Sequence, residues 1–75
     1  MPNRVAARKV VDGTLGRNVR AAREKAGWSQ RRLAERLGLA KQQVQKYEAG
    51  VDRMSAATLK EIADLFEIPV EQLYP

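Results

Sequence analysis

With 75 residues the chain makes one small domain, and its 44% hydrophobic and 31% charged residues suit a globular chain with one modest core. It has neither cysteine nor histidine, which excludes disulfides, thiolate or imidazole zinc sites and every Ser-His or Cys-His relay, so no metal, cofactor or enzymatic activity is expected. The net charge of +5 is unevenly placed: residues 1–50 carry twelve basic and four acidic side chains, residues 51–75 two and five.

A basic front suits a polyanion, and an acidic back leaves a second surface for something else. Apolar runs are too short for a membrane span or a signal-peptide core, so a cytoplasmic chain without a membrane partner is expected.

Residues 1–13 form a basic segment with Arg4, Arg8 and Lys9 that ends at the turn signal Asp12-Gly13. It is expected to be flexible; a minor-groove arm through Arg4 and Arg8, or a helical extension, are the alternatives. The domain proper is expected over 14–75. The first helix should run from Leu15 to Ala26, with Thr14 as N-cap and Gly27 as its stop. Leu15, Val19, Ala22 and Ala26 share one face of it, which leaves Arg17, Arg20 and Lys25 outside.

Three later helices open with one device, an apolar residue before the cap that meets an apolar residue five positions on. The pairs are Trp28 with Leu33, Leu39 with Val44, and Met54 with Leu59. They place helices at Gln30 to Leu37, Lys41 to Glu48 and Ala56 to Phe66, capped by Ser29, Ala40 and Ser55. Ala40 lacks a side-chain acceptor, a loss of about 1 kcal/mol against Ser or Thr. Ile68-Pro69 opens a fifth short helix with Val70, Leu73 and Tyr74 apolar. The fold class is therefore all-α, a compact five-helix domain.

The stretch QRRLAERLGLAKQQVQKYEA, Gln30 to Ala49, carries the function. Two short helices joined by three residues must cross closely. Ala34 keeps the approach open, Gly38 turns the chain where a left-handed conformation is cheapest, and Val44 plugs the angle. This pattern resembles the DNA-binding helix-turn-helix. The wider layout, LGRNVRAAREKAGWSQRRLAERLGLAKQQVQKYEAG followed by IADLFEIP, is similar to the phage repressor and Cro-type (XRE) family. The resemblance covers Leu15 to Tyr74 and implies a lambda-repressor-like domain that binds double-stranded DNA.

In that family the second helix of the motif enters the major groove. At 100° per residue, Val44 and Tyr47 turn inward, while Gln42, Gln45, Lys46 and Ala49 turn outward with Lys41 at the margin. Glutamine suits adenine N6 and N7, and lysine suits guanine O6 and N7. Lys41, Gln42, Gln45 and Lys46 are thus the candidates for base contact. Gln30, Gln43, Arg53 and Arg17 are the candidates for phosphate contact. The resemblance pairs Arg23 with Glu48 as a structural bridge, and Trp28 reads as a core staple rather than a platform for bases. Ala40 departs from the Ser or Thr usual in the family, which removes one backbone contact.

The family also implies a homodimer on a palindromic operator. Phe66, Ile68, Val70, Leu73 and Tyr74, at the acidic end, are its candidate interface. Repression is favoured, since the first helix of the motif carries Arg31, Arg32 and Arg36 against Glu35 alone. The alternative is an antitoxin-type module whose acidic C-terminal end binds and neutralises a protein partner.

Overall fold

The computed structural model describes the backbone of residues 4–75 and the side chains from Asp12 onward. Among the described residues there are four α-helices and no strand: α1 (Arg4–Lys25), α2 (Gln30–Leu37), α3 (Lys41–Glu48) and α4 (Ala56–Leu65). The expected fifth helix is instead a single 3-10 turn, Val70–Leu73. Pro69 caps it in an extended conformation, and Asn18 Nδ2 donates to the Leu73 carbonyl at 2.9 Å, so that carbonyl is satisfied without another helical turn.

The start of α1 corrects the sequence reading. The helix begins at Arg4 and continues through Asp12-Gly13, so there is no turn there and Thr14 is not an N-cap. A glycine inside a helix costs only about 1 kcal/mol, which propagation from an established helix absorbs. Met1 to Asn3, and the side chains of Arg4 and Arg8 on which the alternative of a minor-groove arm rests, lie outside the described residues.

The other helices begin where the staples place them. Ser29 Oγ accepts from Arg32 N at 3.0 Å and Ser55 Oγ from Thr58 N at 3.1 Å, while Ala40 caps α3 with its backbone alone. All four α-helices end in the same pair of backbone bonds, one from a residue in the left-handed conformation to the carbonyl three positions back and one from the next residue to the carbonyl five back. At α2 these are Gly38 N to Glu35 O, 3.2 Å, and Leu39 N to Ala34 O, 2.9 Å. Gly38 has φ of 70°. At α4 the left-handed position is Glu67, with φ of 55°, where a side chain costs about 1–2 kcal/mol.

Leu15 and Val19 of α1, Leu33 and Ala34 of α2, Val44 of α3, Leu59, Ile62 and Ala63 of α4, and Leu73 form the core. Trp28, Leu37, Met54, Phe66, Ile68 and Val70 pack around it. Full burial of each leucine, isoleucine or valine contributes about 1.5–3 kcal/mol. No helix among the described residues is long and apolar enough to cross a membrane.

Gly16, read from the sequence as punctuation, is a contact residue. It sits in the middle of α1 where the end of α3 crosses. A Cβ there would lie 2.7 Å from the Glu48 carbonyl oxygen and nearer still to that of Tyr47. Gly13 has no such neighbour, since a Cβ would meet only Arg17 Nη1 at 3.5 Å.

Urea denaturation should separate the two glycines. Gly16→Ala is expected to lower stability by about 1–3 kcal/mol through overpacking. Gly13→Ala should raise it by about 0.5–1 kcal/mol, as an alanine does inside a helix; a loss there would mean a turn at Asp12-Gly13 after all. Glu67→Gly should add about 1 kcal/mol by removing the left-handed strain.

Candidate nucleic-acid interface

The outer face of α3 is built by what its inner face buries. Val44 is fully buried and Glu48 is 7% exposed, so the helix can present only one side to solvent. That side carries Lys41, Gln42, Gln45, Lys46 and Ala49, all exposed. None of its four polar side chains has a hydrogen bond or ion pair among the described residues. Glu48, the one acid of α3, points the other way. The face therefore offers amide donors and acceptors and two ammonium groups, without a carboxylate to repel a polyanion.

Glu48 is held inside by Arg23 of α1. Arg23 Nε donates to Glu48 Oε2 at 2.7 Å and Nη2 to Oε1 at 3.0 Å, while Nη1 donates to the Trp28 carbonyl at 2.8 Å. Gln30 Nε2 adds a further bond to Glu48 Oε1 at 3.0 Å. The hydrogen bonds to Glu48 raise the Arg23 pKa above its ordinary value, against burial, which lowers it; the Glu48 and Glu24 charges add to the rise. On the arginine side, the raised value means that the contribution is fully present below the ordinary arginine range and is lost only as pH rises through the raised value.

The phosphate candidates separate. Gln30, at the start of α2, gives one amide hydrogen to Glu48 and keeps the other. Gln43 Nε2 donates to Asp52 Oδ2 at 3.0 Å, which joins it to the loop after α3. Arg53, on that loop, is exposed, 3.9 Å from Asp12 Oδ1. Arg17 turns back along α1 to Thr14 Oγ1 at 3.2 Å. Arg20, Arg31 and Lys41, together with Arg23, Ser29 and Gln30, line a polar cleft of about 630 Å³ between α1 and the starts of α2 and α3. Arg20 was not among the candidates, because only the tertiary packing brings it beside them.

Trp28 is half-buried, edge-on to Phe66 with ring centroids 5.1 Å apart. Arg32 and Arg36 lie over its ring at 4.2 and 5.5 Å. Leu73 corrects the candidate dimer surface: it is 1% exposed and belongs to the core of its own chain. Phe66, Ile68 and Val70 are half-buried on that core, and Tyr74 is 43% exposed.

The buried pair yields a thermodynamic test. Arg23→Met should cost about 3–5 kcal/mol, because it strands a buried carboxylate. The double variant Arg23→Met/Glu48→Leu should lose clearly less than the sum of the two single changes in a denaturation cycle. Additive losses would show that the two groups do not act together.

Comparison with known proteins agrees with this architecture. The helix-turn-helix family matches residues 19–73. An uncharacterized HTH-type transcriptional regulator of Sinorhizobium medicae is 40% identical over 60 residues, 80% of this chain and 43% of that protein. The chain thus spans less than half the length of that curated relative. Among solved structures, the DNA-binding domain of S. venezulae BldD superposes with a TM-score of 0.77 at 30% identity, over 87% of this chain and 97% of that one. The restriction-modification controller protein C.AhdI from Aeromonas hydrophila gives 0.76 at 27%, over 83% and 94%. Part of the hydroxypropylphosphonic acid epoxidase from S. wedmorenis shares the fold alone, with a TM-score of 0.83 at 22% identity over 89% of this chain and 36% of that one. The family match from the end of α1 through the C-terminal turn, on a fold whose third helix bares an acid-free face, places the chain in the helix-turn-helix family, of the phage repressor and Cro (XRE) type.

Proposed function

We propose that this chain is a sequence-specific reader of double-stranded DNA that regulates transcription, with α3 lying in the major groove. The observation that carries the reading is the outer face of α3, where Lys41, Gln42, Gln45 and Lys46 are exposed and uncommitted while Glu48 is turned inward. Gln42 and Gln45 have the bidentate amide that matches adenine, and Lys41 and Lys46 the donors that match guanine O6 and N7. Gln30 and Arg53 bind phosphate, Gln43 holds the loop that carries Arg53, and Arg17 adds positive potential.

The chain acts as a homodimer on a palindromic operator, through the end that exposes Tyr74 beside Phe66, Ile68 and Val70. Support comes from those partly exposed apolar groups and from the two-fold use of helix-turn-helix domains, with half-sites about 34 Å apart. Repression is the sense supported by α2, whose exposed charges are Arg31, Arg32 and Arg36 against Glu35.

Selection from a random duplex pool at about 150 mM salt tests this. The expected result is an enriched palindrome with half-site centres about 10 base pairs apart. Binding that enriches nothing and vanishes as salt rises would reduce the positive surface to simple electrostatics. On the selected duplex, Gln42→Ala should cost about 1–3 kcal/mol and relax one base position. Equal loss on every sequence would make Gln42 a backbone contact. A monomeric mass by light scattering at tens of micromolar would remove the dimer.

A further inference from the structure

We infer that Trp28, Arg32 and Arg36 form a docking surface for an acidic helix of a protein partner, on a flank of α2 apart from the face that reads DNA. The inference goes beyond the DNA-reading function and does not depend on it. Trp28 is the staple residue at the entry to α2. Arg32 and Arg36, one helical turn apart and both exposed, lie over its ring at 4.2 and 5.5 Å. On its other side the indole stands edge-on to Phe66, at the end of α4, with centroids 5.1 Å apart.

The two cations are held but not neutralised. The ring covers one side of each guanidinium and leaves its N–H edges open. Neither side chain has a hydrogen bond among the described residues, and the four ion pairs found there use other groups. Glu35 and Glu67, the acids next to this surface in sequence, pair with neither arginine. A ring that already orders two long side chains removes much of the entropy cost that binding would otherwise carry.

Chemistry selects the occupant. A guanidinium edge takes a carboxylate through two parallel N–H···O bonds. Residues one turn apart on a helix have Cβ atoms about 5–6 Å apart, so two forks on α2 match two carboxylates at the same spacing on a facing helix. Arginine and tryptophan are also the residue types in which interface binding energy concentrates, and Phe66 gives them an apolar backing. The duplex that α3 reads lies elsewhere. Arg31, a step of about 100° away, is the arginine of α2 that lines the polar cleft with Lys41, whereas Arg32 and Arg36 turn to Trp28 and the end of α4.

The probe is an alanine-rich helical peptide with glutamates spaced one turn apart, and the same peptide with glutamines is its control. Trp28 is the one tryptophan of the chain, so its fluorescence reports on this surface. At about 150 mM salt the glutamate peptide should change that fluorescence to saturation, and the glutamine peptide should not. With affinity read from the anisotropy of a labelled peptide, Arg32→Gln and Arg36→Gln should each weaken binding about fivefold or more. Arg31→Gln removes the same charge from the same helix and should leave peptide binding unchanged. The complex with the selected duplex should take up the peptide as well as the free chain does. No saturation up to about 1 mM, equal binding of the glutamine peptide, or equal weakening by Arg31→Gln would overturn the surface. A duplex that displaces the peptide would assign Arg32 and Arg36 to DNA and overturn it as well. A chain that binds no duplex would overturn the DNA-reading function alone, since the titration of the free chain decides this surface by itself.

Discussion

The rest of the structure depends on one buried ion pair. Arg23 and Glu48 join the end of α1 to the end of α3, and the same guanidinium holds the Trp28 carbonyl while the same carboxylate takes Gln30. Four pieces of chain are fixed at a single point. A buried pair of this kind adds little net stability over an apolar replacement, because desolvation cancels much of the attraction. Its effect here is geometric. It fixes α3 about its own axis, so the one acid of that helix faces inward and the lysines and glutamines face out.

Close backbone approach completes the placement of α3. Gly16 lets α1 touch the last carbonyls of α3 without an intervening side chain, while Ala34 of α2 is small and fully buried in the core that Val44 of α3 shares. Contacts of this kind leave no rotamers to adjust, so α3 is held as a rigid presentation of its outer face. The shared pattern of helix ends serves the same purpose. Each connection is short and hydrogen-bonded, and the strained φ at Glu67 shows that the geometry is kept even where glycine is absent.

Charge is sorted by rotation as much as by sequence. Arg31 and Arg32 are neighbours, yet a step of about 100° sends them to different flanks of α2. One faces the polar cleft beside α3, and the other stacks on Trp28, itself braced by Phe66. A basic sequence thus becomes a positive groove with one edge at the outer face of α3, and a separate cationic lid over an aromatic pair.

The sequence by itself determined what is decided over short distances. Staple pairs, Ser29 and Ser55 as caps, and Gly38 specify α2, α3 and α4 almost to the residue, because those interactions span five positions or fewer. The outward set on α3 followed from helical rotation once Val44 was placed inside. The Arg23–Glu48 pair was legible only through resemblance, since nothing local joins residues 25 apart. Only the tertiary structure decided the rest. Asp12-Gly13 reads as a turn, but α1 runs through it because a glycine costs a helix less than breaking it would. Leu73 looked surplus until the C-terminal turn packed it against α1 and α4. Gln43 finds its partner in Asp52 of the following loop, and Arg20 comes to line one cleft with Arg31 and Lys41, neither of which neighbouring residues announce. Burial and polar pairing are properties of the packed chain, and the linear order carries no record of them.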